Sequence, residues 1–138
     1  MIRALPIYLL LALTLLCAGC EDERVQREYP RVRTLPVTNI TEEGAVFSAE
    51  VYEAGNVEIS EHGFAFGLIA AHPEYGNNIS MGELGSSVTF SFNVTSSLIK
   101  GEKYYVAAFV KSGEYTVYGN ILEFVSQGSH GPEITGFS

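Results

Sequence analysis

Apolar and polar residues alternate with a period of two in three separate runs of this chain. Ala45, Phe47, Ala49 and Val51 alternate with Val46, Ser48, Glu50 and Tyr52. Val88, Phe90, Phe92 and Val94 alternate with Thr89, Ser91, Asn93 and Thr95, and Tyr104, Val106, Ala108 and Val110 with Tyr105, Ala107, Phe109 and Lys111. Successive side chains on a strand point to opposite faces, so each run predicts a strand with one face in a core. Strands that bury one face need a second sheet to bury it against. No segment beyond the first twenty residues carries a helical period.

Turn signals separate the runs: Glu42-Glu43-Gly44, Ala54-Gly55-Asn56, Gly76-Asn77-Asn78, Lys100-Gly101-Glu102 and Ser112-Gly113-Glu114. Together they predict about seven strands, near 32–38, 45–53, 57–67, 79–83, 87–95, 103–112 and 115–126. Seven short strands in roughly a hundred residues predict an all-β immunoglobulin-like or fibronectin type III-like β-sandwich. The chain has 138 residues, enough for one such domain with appendages.

The charge balance narrows function. Sixteen acidic residues against eight basic ones give a formal charge of −8, which argues against a basic surface tracking nucleic-acid phosphates. Charged residues make up 17% of the chain, below the ~25% of ordinary soluble proteins. Part of that deficit lies in the first twenty residues. Arg3 is followed by an apolar run from Leu5 to Leu16, broken only by Pro6, Tyr8 and Thr14, and then by Cys17-Ala18-Gly19-Cys20. A basic start, a short apolar stretch and small residues at its end predict a secretory signal. The run is shorter than the ~20 residues of a membrane-spanning helix. A retained transmembrane helix and a soluble secreted protein with a chance cysteine are the alternatives.

Ala18-Gly19-Cys20 resembles the lipobox of bacterial lipoproteins, with Cys17 where that family usually has Leu. The resemblance implies cleavage before Cys20, lipidation of Cys20 and anchoring in the cell envelope. Cys17 would leave with the signal, so no thiol would remain in the folded part to form a disulfide. Glu21-Asp22-Glu23 resembles the acidic export signal of Bacteroidetes surface lipoproteins, which implies an outer-membrane lipoprotein facing the medium; an ordinary solvated linker explains the same residues. The domain reading is a signal peptide at 1–19, a flexible tether at 20–30, a sandwich at 31–126, and at 127–138 a linker followed by the start of another strand.

The body resembles the fibronectin type III-like modules of Bacteroidetes extracellular proteins. Val37-Thr38-Asn39-Ile40-Thr41 resembles the opening strand, and Glu61-His62-Gly63-Phe64-Ala65-Phe66 the third, with His62 in place of the usual Arg. Leu98-Ile99-Lys100-Gly101-Glu102-Lys103-Tyr104-Tyr105-Val106 resembles the Leu-x-Pro-Gly-x-x-Tyr-Tyr-Val segment, with Lys100 replacing Pro. It implies that Tyr104 is a corner tyrosine bonded to backbone upstream. Tyr118-Gly119-Asn120 resembles the start of the last strand. The tail Pro132-Glu133-Ile134-Thr135-Gly136-Phe137-Ser138 resembles the opening of a TIG/IPT domain, which implies the N-terminal part of a longer protein; a frayed tail is the plain alternative.

Catalytic chemistry is hard to assemble from what the chain contains. Catalysis needs a nucleophile, a base and an orienting group in mutual reach. The three histidines, His62, His72 and His130, sit in no triad or metal spacing. A metal site from Glu61, His62, His72 and Glu74 is conceivable, but adjacent strand residues face opposite ways, so Glu61 and His62 are not expected to converge. The acidic pairs Glu42/Glu43 and Glu58/Glu61 read as solubilising surface rather than as glycosidase carboxylates across a cleft. Arg24, Arg27, Arg31 and Arg33 read as a solvated tether or as a patch for anionic headgroups. Tyr52, Tyr105 and Phe109, on the outward strand phase, and Tyr75, Tyr115 and Tyr118, near loops, are candidates for stacking on sugars or for packing on a neighbour. The sequons at Asn39, Asn78 and Asn93 read as β-turn and strand composition.

These readings combine into a non-catalytic, lipid-anchored envelope protein with no cofactor and no metal. Its expected partners are the membrane, through Cys20, and a polysaccharide or outer-membrane transporter proteins. The ligand-binding residues are left unassigned. The alternatives are an adhesion or structural surface protein with a protein partner, and the N-terminal fragment of a larger surface protein or enzyme.

Overall fold

A computed structural model describes residues 29–129. The chain forms β1 (Arg31–Thr41), β2 (Gly44–Glu53), β3 (Ile59–Gly67), β4 (Asn77–Ser80), β5 (Thr89–Val94), β6 (Lys103–Ser112), β7 (Tyr115–Tyr118) and β8 (Leu122–Val125). A single 3-10 turn at Pro73–Tyr75 sits between β3 and β4. The strands form two sheets, β1-β2-β5 and β4-β3-β6-β7, with β8 also pairing β6, and every pairing is antiparallel. This is an all-β immunoglobulin-like sandwich. The fourth strand pairs the third, whereas in the constant-type immunoglobulin arrangement it joins the first sheet.

The structure has eight strands where about seven are expected. The expected strand over 115–126 is two strands on one edge of β6: β7 pairs its Phe109–Ser112 half and β8 its Lys103–Val106 half. The interruption has a cause in β1. The Thr34 N–H donates to Asn120 Oδ1 at 2.9 Å, and Asn120 Nδ2 donates to the Thr34 carbonyl at 3.2 Å. Thr34 Oγ1 accepts from the buried Ala108 N–H at 2.9 Å, and the Gly119 N–H donates to the Ala108 carbonyl at 2.8 Å. Side chains of β1 and of the break thus occupy positions that a continuous ladder would fill. Gly119 is required there, because a Cβ would come within 2.8 Å of Thr34 Oγ1 and 3.1 Å of the Val32 carbonyl oxygen.

The core forms where the inward phases of the two sheets meet. Phe47 is fully buried and its ring meets those of Phe64, Phe66 and Phe124 at 5.7, 5.3 and 5.5 Å between centroids. All three contacts are edge-to-face, the geometry favoured by the ring quadrupole. Ala45, Ala49, Val106, Ala108 and Val110 fill in around them, all on the phase that the alternation assigns to the core. Tyr104 is buried, and its hydroxyl oxygen accepts the Ile99 N–H at 2.8 Å. This is the corner contact implied by the sequence resemblance. Gly63 lets β4 close on β3, since a Cβ there would overlap the Ile79 carbonyl oxygen.

The phase assignment departs in two places. Val88 and Phe92, expected inward, are exposed, and Ala107 and Phe109, expected outward, are buried. Phe92 lies on β5, an outer strand of its sheet, where no further strand covers it. Small residues on β3, Gly63 and Ala65, lie across the ladder from Phe109 and Ala107. The Phe109 ring lies over Gly63, where an added Cβ would sit 3.2 Å from ring atom Cε1.

Antiparallel order sorts the loops by end. The chain enters β1 at the end that also carries the β2–β3 and β4–β5 loops. The β1–β2 turn, the β3–β4 loop at 68–76 and the β5–β6 loop at 95–102 lie at the opposite end.

Candidate functional site

Among the described residues, those singled out in the sequence do not converge. His62 faces the core, its ring edge-on to Phe90 at 4.6 Å and its Nδ1 2.7 Å from the Gly82 carbonyl oxygen. Glu61, one residue earlier, faces the opposite side and pairs with Lys111 at 3.0 Å. The Ser80 hydroxyl and the Lys111 ammonium hold the Glu61 carboxyl below its ordinary range. His72 Nδ1 lies 2.9 Å from Glu74 Oε1, and this hydrogen bond lowers the Glu74 carboxyl. The His72 ring also stacks on Tyr75 at 4.8 Å. Among the described residues no three His, Cys, Asp or Glu side chains gather to hold a metal ion.

The carboxylates are likewise dispersed. Glu42 lies 4.0 Å from Lys100 at the far turn. Glu58 lines a cleft of about 450 Å³ at the entry end, together with Asn56, Ser60 and Glu83. Two of the four arginines are engaged on the outer face of β1. Arg31 lies 3.9 Å from Glu53, and Arg33 donates to Glu50 at 2.7 Å while its guanidinium sits 4.8 Å above the Tyr52 ring. Two glutamates therefore balance the positive charge of β1. Cys20, Arg24, Arg27, His130, the signal segment and the tail over 130–138 lie outside the described residues.

The aromatic candidates occupy different surfaces. Tyr52 is on the three-stranded sheet, Tyr75 on the 3-10 turn, and Tyr115 on β7 beside Tyr29, with ring centroids 5.4 Å apart. Tyr118 leans on the buried Phe109 at 6.1 Å, and Tyr105 is half-buried on the same face. They do not form one platform. The β3–β4 loop adds exposed Leu68 and Ile69, and the β5–β6 loop adds exposed Ile99.

One concave site was missed by sequence reasoning. A cleft of about 290 Å³ opens between β4 and β5, the two outer strands on one side of the sandwich. Phe66, Asn77, Ile79 and Phe92 line it, with Thr95, Ser96 and Ser97 of the loop that follows β5. Its layout follows from strand register. Phe92 is the cross-strand partner of Phe47, and Asn77 is the partner of Phe66. The Phe47 and Phe66 rings touch across the core. The row Phe92–Phe47–Phe66–Asn77 is therefore one layer of the core, whose outer ends emerge in the cleft. Ser97, in that loop, has a left-handed backbone with φ of 63°. Only a polar residue sharing the phase of Phe66, Asn77, marks this site in sequence, and the short strand β4 that gives it a phase is weakly patterned.

No protein-family model matches the sequence, and no curated protein matches it. Among solved structures, the sandwich is similar to the sensor domain of the anti-sigma factor RsgI4 of Pseudobacteroides cellulosolvens. The TM-score is 0.55 at 14% identity, over 72% of this chain and 95% of that one. At that identity the likeness is one of fold.

Proposed function

We propose that the protein is a non-catalytic, lipid-anchored module of the cell envelope, probing the medium for glycans from the end of a short tether. The observation that carries this reading is Ala18-Gly19-Cys20 after a basic-then-apolar leader, with ten residues between Cys20 and the first strand. Residues 21–30 reach at most about 33–36 Å when extended, so an acylated Cys20 keeps the sandwich close to the bilayer. Residue 30 enters at one end of the sandwich, and the loops at 68–76 and 95–102 lie at the other. That polarity suits a module presenting its far loops outward. The scattered histidines and carboxylates support a binding role over a catalytic one.

A protein partner is the second reading, favoured by exposed Leu68, Ile69 and Ile99 at the far end. Membrane fractionation tests the anchor. The full chain is expected in the membrane fraction of its host and Cys20→Ala in the soluble one. Equal membrane retention of the two sinks the lipoprotein reading. Retention on polysaccharide gels tests the glycan role, and an unretained full chain returns the far-end apolar loops to first place.

A further inference from the structure

We infer that the cleft between β4 and β5 is a carbohydrate site that takes an uncharged sugar unit, with Phe92 as its stacking face and Asn77 as its principal hydrogen-bonding group. The inference rests on the proposed glycan-capturing role and gives it a location and a ligand class.

Three observations converge on this cleft. The first is a break in pattern. Phe92 shares its phase with Phe90 and Val94, which are 7% and 3% exposed, yet Phe92 is 37% exposed. Asn77, the cross-strand partner of the fully buried Phe66, shares its phase but is itself exposed, so its carboxamide is open to a ligand. A local rule that fails, as it does at Phe92, marks functional sites more often than random surface. The second is shape. At about 290 Å³ the cleft stands at the lower end of the ~300–1,000 Å³ of small-molecule sites, which suits a sugar ring or a chain end rather than a helix or a folded partner.

The third observation is the chemistry of the lining. The chain is strongly acidic, but no ionisable side chain lines this cleft. Its polar groups are carboxamides and hydroxyls, from Asn77, Asn78, Asn93, Thr95, Ser96 and Ser97. Asn78 Nδ2 is committed to the Glu74 carbonyl at 3.1 Å. Among the described residues, the side chains of Asn77, Ser96 and Ser97 have no hydrogen-bond partner. A carboxamide offers two donors and two acceptor lone pairs, and a hydroxyl offers both roles. That set matches the mixed donor–acceptor surface of vicinal sugar hydroxyls. It would leave a carboxylate, sulfate or phosphate without a counter-charge. The negative face of the Phe92 ring suits the polarised C–H face of a pyranose. A ligand here would cover the outer end of a core layer that is otherwise wet.

Titration of the full chain in detergent micelles with neutral glucan, xylan and mannan oligosaccharides tests the inference, with polygalacturonate and chondroitin sulfate as anionic probes. At least one neutral series is expected to bind. Phe92→Ala should weaken it about tenfold or more, the scale of losing an aromatic anchor. Asn77→Asp, which keeps the volume and adds a charge, should weaken it as much, while Tyr52→Ala should leave it unchanged. Unshifted thermal midpoints would separate lost binding from lost fold. Unchanged neutral-sugar binding in both cleft variants overturns the site but leaves the glycan role standing. Binding of the anionic probes alone overturns the ligand class, and no binding to any probe overturns the glycan role and the site together.

Discussion

The two long sides of this sandwich are finished in opposite ways. On one side, Thr34 of β1 crosses to the break between β7 and β8 and is met by both ends of the Asn120 carboxamide. The Thr34 backbone and hydroxyl groups and the Asn120 carboxamide are all paired there, and Gly119 gives up its side chain so that the backbones can approach. On the other side, β4 and β5 face each other across a cleft in which a phenylalanine and an asparagine stand open. A sheet edge is an invitation to further pairing unless something covers it. One edge here is closed by the chain itself, and the other is left available. The contrast separates residues that hold the fold together from residues that are free to do something else.

A single core layer makes the sharpest test of that contrast. Phe47 and Phe92 are partners in one ladder row, identical in chemistry and different only in depth. Phe47→Ala should remove a fully enclosed ring with three aromatic contacts and destabilise the domain by about 3–5 kcal/mol. Phe92→Ala removes a ring already partly in water and should cost well under half as much. Urea unfolding of the two variants measures both. Equal losses would mean that the open edge is as structural as the centre, and would break the comparison.

The closed side supplies the next largest effect. Asn120→Ala removes two hydrogen bonds and leaves the Thr34 N–H without its acceptor, a loss of about 1–3 kcal/mol. Gly119→Ala forces a methyl against Thr34 and should cost a similar ~1–3 kcal/mol through overpacking. The mirror-image substitution on the open side, Asn77→Ala, should stay within about 0.5 kcal/mol, as surface changes generally do. A double-mutant cycle between Asn120→Ala and Thr34→Val should show strong coupling, because the two share one network. Additive losses would mean that the junction is two independent contacts rather than a clasp.

Sequence patterning recovers one of these sides better than the other. Alternation places Phe47, Val106, Ala108 and Val110 correctly because each faces a partner sheet along its whole strand. Tyr118-Gly119-Asn120 stands out as a motif, but not as a break. The reason for the break is Thr34, 86 residues away from Asn120 in sequence, and no local period carries that information. Phe92 fails for a different reason. Period two reports which face a residue is on and says nothing of whether its strand is central or outermost. Edge position depends on strand order, and strand order is a property of the assembled sheets. Dispersed histidines are legible from spacing alone, since Glu61 and His62 must diverge on any strand. A cleft made from the ends of two core rows is not legible, because its residues read as ordinary core and loop.

The smallest expected effect concerns how the open side is kept in place. Strand β4 is only four residues long, and Glu61 on β3 reaches it through the Ser80 hydroxyl while also pairing with Lys111. These contacts lower the Glu61 carboxyl from its ordinary 4.5. A carboxyl lowered on folding contributes stability that is complete above the unfolded value and disappears as pH falls through the folded one. Thr34, Asn120 and Gly119 carry no titrating group, so the closed side has no such term. Partial exposure limits the Glu61 contribution to about 0.2–1 kcal/mol. Amide exchange is the suitable measurement, since it reads local opening. As pH falls from 6 to 3, across the ordinary carboxylate range, protection in the β3–β4 ladder should fall relative to protection at Ala108 and Gly119. Glu61→Gln should start with the lower β4 protection at pH 6 and lose no more of it on acidification. A parallel decline of both sides in the native chain, or an unchanged decline in Glu61→Gln, would mean that the carboxylate does not hold the cleft's outer wall.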